Sequence, residues 1–440
     1  MVETISIEID NFLNYISEVG VSKLFRIFWF FFTFELFRYL IIDLLALIVI
    51  KVKRYFTKDK RSAARALFLR EQPLISILVP GKNEGKHIYK LANSLREQTY
   101  QNFELIIVDD GSDDNTEEIC RSLKKNGLID IFIRNEVRGG KASGANTALR
   151  LASGKYVVHL DADCSYDMDA IEQIIIPFYE DSRVGAVGGN VMVRNYKESL
   201  ATTLQAFEYS DAISIGRMVS SYLGIYKIIS GAFGAFRMDV LRNIKGWDIG
   251  PGLDGDITVK YRKLGYKIVF EDRAVCQTSV PNTFRKLAKQ RLRWDKSLIR
   301  FRLRKHKDVL LPSENFNLLN FASFAENITY TLILNIKWYV YAFDMLFNYS
   351  GMIGIIIIMN FFLYTMTNYF KLIVFNFFRE RKNSPFSYFI PFAPLMVLYH
   401  GYFLRFVRTI SYVKELFFKA SYEDAWNPEK TSAKAKEIGI

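Results

Sequence analysis

The sequence predicts an α/β domain with a mostly parallel sheet, combined with α-helices that cross or lie along a membrane. Three observations predict it. Between residues 74 and 310, short β-branched runs alternate with helical patterns at α/β spacing. On either side lie apolar runs of the length that spans a bilayer core, about 20 residues. Two strongly basic stretches mark where the character changes.

The runs ISILVP (75–80), ELIIVDD (104–110), IDIFIR (129–134) and YVVHLDAD (156–163) are the predicted strands. Helical patterns separate them near 85–98, 114–126 and 142–153. Parallel sheets of this kind bind ligands at the carboxyl ends of their strands. The acidic clusters fall there: Asp109 and Asp110 end one strand, Asp161 and Asp163 another. Two residues apart on an extended strand end, Asp161 and Asp163 point to the same side. Such a pair suits a hard divalent cation, Mg²⁺ or Mn²⁺, that also binds diphosphate oxygens. A solvated pair at a strand end is the alternative reading. No GxGxxG follows the first strand, which disfavours a dinucleotide site.

The 440 residues are 50% hydrophobic and 24% charged, which excludes a disordered chain. Cys120, Cys164 and Cys276 are too few and too scattered for a disulfide scaffold or a Cys-rich zinc module, and fit a reducing compartment. Four histidines argue against a multi-His metal centre, and His159, in an apolar strand, reads as a core residue. The net charge of +13 points first to nucleic acid, but its distribution argues against that partner. Residues 51–70 hold eight Lys or Arg against one acid, and residues 285–307 hold eleven against one. These stretches exceed the whole excess and adjoin apolar segments, so a lipid bilayer is the expected partner.

Residues 27–50 form the first expected span; Glu35, Arg38 and Asp43 fall along one face, which other helices should cover. The basic flank that follows belongs in the cytoplasm, which puts the N-terminus outside. Residues 325–347, 351–378 and 385–405 are three further spans, the last of which could instead lie in the interface, and RERK at 379–382 returns the chain to the basic side. Lys337, Asp344 and Lys371 interrupt these runs. The polar segment 421–440 is expected to be poorly ordered.

Several motifs line up in order: Val79-Pro80-Gly81-Lys82-Asn83-Glu84, Val108-Asp109-Asp110-Gly111-Ser112, Gly139-Gly140-Lys141, Asp161-Ala162-Asp163, Ser230-Gly231, Asp254-Gly255-Asp256 and Gln290-Arg291-Leu292-Arg293-Trp294. The series resembles the membrane-embedded processive family 2 glycosyltransferases, which include hyaluronan, chitin, cellulose and poly-N-acetylglucosamine synthases. The resemblance covers about residues 74–300 by motif and the flanks by layout. It implies a GT-A-type transferase domain that takes a nucleotide-diphosphate sugar and extends a β-linked polysaccharide with inversion. One span before and three after resembles the shorter aminosugar synthases, so UDP-N-acetylglucosamine is the favoured donor, with glucose, glucuronate-containing and GDP-mannuronate polymers left open.

The resemblance also assigns roles. Asp109 and Asp110 hold the nucleoside, Lys141 meets the diphosphate near a helix N-terminus, and Asp161 and Asp163 hold Mg²⁺ or Mn²⁺. Asp254 is the general base, with Asp256 its rival or a second substrate contact. The family has acidic and hydroxyl neighbours here; this chain has Leu253 and Gly255 instead. A helix is predicted over 256–264, with Asp254 as its N-cap. Ser230 and Gly231 form an acceptor-side loop. Gln290, Arg293 and Trp294 share one helical face, where Arg293 can neutralise the leaving diphosphate and Trp294 can stack on an acceptor sugar. Lys286, Arg300, Arg302 and Arg304 fit a basic helix on the membrane surface.

The expected organisation is thus an N-terminal segment with one span (1–50), a basic linker (51–73), the cytoplasmic transferase domain (74–283), an interfacial helix region (284–312), a C-terminal membrane region (313–420) and a polar tail (421–440). The expected location is the inner membrane, multi-pass, with separate export or regulatory subunits possible partners. Two other functions compete: a non-processive transferase acting on a lipid carrier, and a non-catalytic export scaffold.

Overall fold

The computed structural model describes the chain apart from residues 1, 20, 249–251, 313, 315, 316, 381–385, 424–427 and 438–440. It divides into two compact units, residues 1–51 with 325–409 and residues 52–324 with 410–440.

The first unit is helical. Helix Val21–Phe30, kinked at Phe28, leads through a π-helical stretch, Phe31–Ile42, into helix Asp43–Phe56. Arg38 pairs with Asp43 at 2.6 Å and Glu326 at 3.0 Å, and Lys371 pairs with Glu35 at 2.7 Å. The polar face is therefore covered by its own counter-charges, as charge in an apolar setting requires. Ser350–Phe378 and Phe386–Phe418 are long and apolar enough to cross a membrane, by length and composition. Ile357, Ile358, Phe362, Ile373 and Phe377 on the first of these are more than half exposed, an apolar surface that water does not tolerate in such amount. The other two expected spans are helical but carry the charges noted above. Arg381 and Lys382 lie outside the described residues.

The second unit is the α/β domain. Its helices are α1 (Lys58–Glu71), α2 (Gly85–Arg96), α3 (Thr116–Lys125), α4 (Lys141–Leu151), α5 (Ala170–Glu180), α6 (Leu200–Glu208), α7 (Gly216–Tyr222), α8 (Met238–Asn243), α9 (Leu253–Lys263) and α10 (Phe284–Ile299). Its strands are β1 (Ile75–Gly81), β2 (Phe103–Asp109), β3 (Ile131–Arg134), β4 (Tyr156–Leu160), β5 (Ser165–Tyr166), β6 (Val184–Val193), β7 (Phe233–Arg237) and β8 (Lys267–Thr278). They form one sheet in the order β3-β2-β1-β4-β7-β6-β8-β5.

The four predicted strands are the parallel half, and the helices between them match the prediction within a few residues. All five residues of β4 are buried, as expected of a parallel strand covered on both faces. Beyond β4 the mostly parallel sheet becomes mixed: β6 and β8 run parallel, whereas β7 runs antiparallel to β4 and β6, and β5 to β8. The segment after residue 420 is also more structured than expected. A short helix covers Ala420–Glu423 and another Glu429–Glu437, where Thr431 Oγ1 donates to the Gly139 carbonyl at 3.3 Å.

Candidate active site

Strand direction gathers the site. β1, β2 and β4 are parallel, so their carboxyl ends share one edge of the sheet. β7 is antiparallel to β4 and pairs Phe233 with Leu160, so the loop entering β7 reaches that edge too. The Asp161 amide accordingly donates to the Ala232 carbonyl at 3.4 Å.

On one side stand Asp161, Asp163 and Lys141. The two aspartates follow the end of β4 in a turn closed by Cys164 N–H to Asp161 O at 3.3 Å, not on extended strand. Their proximity therefore comes from the turn. Lys141 opens α4 and places Nζ 2.5 Å from Asp161 Oδ1. Burial opposes the ammonium charge, but Asp161 and then Asp254 outweigh it and hold Lys141 above its usual range. Burial, then the Asp161 charge, raise the Asp163 carboxyl. Glu84 belongs to the same electrostatic group, although no role was assigned to it from sequence. Burial, Asp163 and Asp161 push it up to about 7. Crowded carboxylates of this kind are what a divalent cation relieves. No cluster of three or more protein ligands stands ready among the described residues. Two carboxylates with the remaining positions left to phosphate and water fit Mg²⁺ or Mn²⁺.

Asp109 and Asp110 are 1% and 4% exposed. Asp109 accepts from the Ser112 amide (2.9 Å) and hydroxyl (2.5 Å). Asp110 accepts from the amides of Gly139 (2.8 Å) and Gly140 (2.7 Å) and from Asn135 Nδ2 (3.1 Å). Rather than presenting open carboxylates, the pair builds two loops, one of which sets the start of α4 and hence Lys141.

Asp254 belongs to the same electrostatic group, its charge acting on Lys141. α9 begins at Leu253, so Asp254 lies inside its first turn and not at an N-cap. Its Oδ2 accepts from the Gly231 amide at 2.9 Å. Burial raises its pKa, against the pull of Lys141, the Gly231 amide and Arg217. The Gly231 carbonyl lies 2.7 Å from His159 Nδ1. Burial, then Lys141, lower the His159 pKa to about 4, so the ring is neutral and Nδ1 donates. His159 is thus the expected core histidine, packed on Trp247, and also a brace for the loop that holds Asp254.

Gly231 has no room for a side chain, because a Cβ there would meet Asp254 Oδ1 at 2.5 Å. Gly231→Ala is expected to displace the carboxylate and lower turnover by about tenfold or more while nucleotide affinity holds, since misplacing a reacting group costs orders of magnitude. Parallel turnover and nucleotide-binding measurements check this.

Asp256 does not join the site. Two residues apart on a helix are about 200° apart around the axis, so Asp254 and Asp256 face opposite ways. Asp256 is buried and its Oδ1 lies 2.6 Å from His306 Nε2 and 2.7 Å from Lys305 Nζ. Burial opposes its charge, but the His306 bond and Lys305 hold it well below the usual carboxylate range. Asp256→Asn is expected to cost about 1–3 kcal/mol by removing the charge that His306 and Lys305 share, while Lys305 keeps Asp248 as a partner. A lowered unfolding temperature in detergent, without the block in turnover that loss of a base gives, is the result to look for.

Gln290, Arg293 and Trp294 lie on α10 as expected. Trp294 is 38% exposed, and Arg291, paired with Glu208 at 2.8 Å, sits 4.6 Å over its ring. Gln290 Oε1 is buried with no hydrogen-bond partner. The basic residues that follow do not face lipid. Arg300 and Arg302 are 3% and 1% exposed, stacked over Tyr422 (5.1 Å) and Phe324 (4.8 Å), and Arg304 is paired with Glu415. Aromatic and acidic residues far away in sequence claim them, which helical periodicity cannot reveal. Lys286 alone of the four is exposed.

Residues 76–245 match the glycosyl transferase family 2 domain. Over these residues the chain is similar to that family. That match runs from β1 past β7, and so takes in every site segment except Asp254 and α10, which follow it. The chain is 35% identical over 246 residues to the poly-β-1,6-N-acetyl-D-glucosamine synthase of Staphylococcus epidermidis, covering 54% of this chain and 59% of that protein. It is 34% identical over 245 residues to the protein of that name from Staphylococcus aureus strain COL, with the same coverage. The match thus spans about three-fifths of the length of these curated relatives. Among solved structures, the Pyrobaculum calidifontis mannosyltransferase PcManGT, in complex with GDP-mannose and Mn²⁺, superposes with a TM-score of 0.54 at 19% identity, over 86% of this chain and 99% of that one. The likeness establishes the GT-A-type glycosyltransferase fold.

Proposed function

We propose that this glycosyltransferase polymerises N-acetylglucosamine from a UDP-linked donor, with inversion, onto a polysaccharide held at a membrane. It then passes the chain across that membrane. The observation that carries the reading is the placement of Asp254, fixed by the Gly231 amide, within electrostatic reach of Asp161 and Lys141. A carboxylate and a diphosphate-binding edge then act together, as a direct displacement needs. The synthase names of the staphylococcal relatives favour the aminosugar and the polymer.

In this mechanism Asp254 takes the proton of the acceptor hydroxyl as its oxygen bonds to the donor's anomeric carbon. The bond from that carbon to the diphosphate breaks, and its electron pair leaves with the nucleotide. Asp161 and Asp163 would hold Mg²⁺ or Mn²⁺, which supplies positive charge to the leaving diphosphate when bound. Lys141 and Arg293 add fixed positive charge there. Trp294 offers a ring face to the acceptor sugar, and the two apolar helices provide the membrane setting. The test is nucleotide diphosphate release by detergent-purified protein across UDP- and GDP-linked sugars, with the product sized by gel filtration. Release from UDP-N-acetylglucosamine with a polymeric product is expected. A single-sugar product would overturn the polymerase reading, and release from another donor alone would overturn the sugar assignment.

A further inference from the structure

One polar group beside Asp254 has no part in the mechanism so far. α6 passes through a π-helical turn, Tyr209–Ile215, into α7. Such turns recur at functional sites. This one brings Arg217 into electrostatic reach of both the Asp254 carboxylate and the Tyr226 hydroxyl. Arg217 Nη1 is buried and completes no hydrogen bond, although the guanidinium faces the hydroxyl of Tyr226, a residue 1% exposed. Tyr226 is fixed in place, because its hydroxyl end lies where a Cβ on Gly188 would stand and its ring packs on Phe270 at 5.9 Å.

The contrast with Lys141 is informative. That ammonium closes on a carboxylate at 2.5 Å. Arg217 and Asp254 attract each other without closing into an ion pair. Two opposite charges held apart, both half-buried, leave a place for a group that both donates and accepts. Buried polar atoms without partners otherwise persist in few places in a folded protein. A sugar hydroxyl has that character: it can donate to Asp254 and accept from Arg217. A neighbouring sugar oxygen can meet the Tyr226 hydroxyl.

We propose that Arg217, together with Tyr226, forms the binding site for the terminal sugar of the acceptor and sets the attacking hydroxyl against Asp254. This inference rests on the polymerase reading above. It predicts that loss of Arg217 weakens the acceptor and spares the donor.

The experiment measures, on the full chain in detergent, the affinity of a β-1,6-linked N-acetylglucosamine pentasaccharide and, separately, of UDP with Mn²⁺. The proteins are wild type, Arg217→Met, Arg217→Lys and Tyr226→Phe. Arg217→Met is expected to weaken the pentasaccharide by at least about tenfold, the size of one lost charge-assisted hydrogen bond, with UDP affinity within about twofold. Arg217→Lys should recover part of the loss, and Tyr226→Phe should show a smaller one. Unchanged pentasaccharide affinity in Arg217→Met overturns the proposal. So does a parallel fall in both affinities, which marks Arg217 as support for the fold. Wild-type protein that binds UDP but no pentasaccharide overturns the polymerase reading and this site with it.

Discussion

Asp254→Asn is expected to lower turnover by about 10²–10⁴-fold, the range a positioned base supplies, while nucleotide affinity stays within about twofold. The expectation follows from two facts. Asparagine keeps the shape and can still accept from the Gly231 amide, so the loop and α9 stay in place. It cannot take a proton at neutral pH. Unfolding temperature should therefore hardly change. Wild-type turnover should also show an acid limb above the ordinary aspartate value of about 3.9, because burial raises the Asp254 pKa. Below the raised value the carboxyl already carries its proton and can accept no other, so activity is lost as pH falls. A variant that retains near wild-type release of nucleotide diphosphate would remove Asp254 from the base role. A profile flat down to pH 4 would do the same.

Asp163→Asn should give the second large effect, with an unusual combination of signs. In the absence of a divalent cation, Asp163 is a buried carboxyl raised by desolvation and by the neighbouring Asp161 charge. Neutralising it removes that repulsion, so metal-free protein should unfold at the same or a higher temperature. With Mn²⁺ and UDP present, wild type should gain stability in proportion to ligand excess over its dissociation constant, and the variant should not. Turnover should fall by about 10²-fold or more, as loss of charge stabilisation on a leaving diphosphate implies. Asp161→Asn is a less clean probe, because it also leaves Lys141 without the carboxylate that holds it. Thermal unfolding with and without Mn²⁺ and UDP measures both signs. A variant still stabilised by Mn²⁺ and UDP would place the cation elsewhere.

Much of this was legible in one dimension. The parallel strands announced themselves through buried β-branched runs, and the acidic strand ends located the edge where ligands bind. What sequence did not convey was orientation. Asp254 and Asp256 look alike in a line of text. Placing the helix start at Leu253 instead of 256 turns one towards Gly231 and the other towards His306. The run Tyr156–Asp163 looked extended throughout, but the strand stops at Leu160 and a turn carries both aspartates. The antiparallel β7 left no periodicity that could be separated from its loop. Its position decides that Ser230–Ala232 meets β4, so the His159 brace depended on a contact 72 residues away in sequence. Arg300 and Arg302 illustrate the converse: a basic run reads as a surface until the aromatic residues that bury it are in place.

The span from His159 to Asp161 has a consequence for how such a protein can diversify. His159 steadies the loop behind the base, and Asp161, two residues on, belongs to the diphosphate edge. The separation between the two halves of the chemistry is therefore set by one strand end and by the two hydrogen bonds that Gly231 makes, to His159 and to Asp254. Insertions there would put the reaction out of gauge whatever sugar was offered. Variation in substrate must then accumulate elsewhere, in the stretch around Arg217–Tyr226 and in the face of α10. Lineages that swap one monosaccharide for another should differ in those segments and keep the length of the β4 end unchanged.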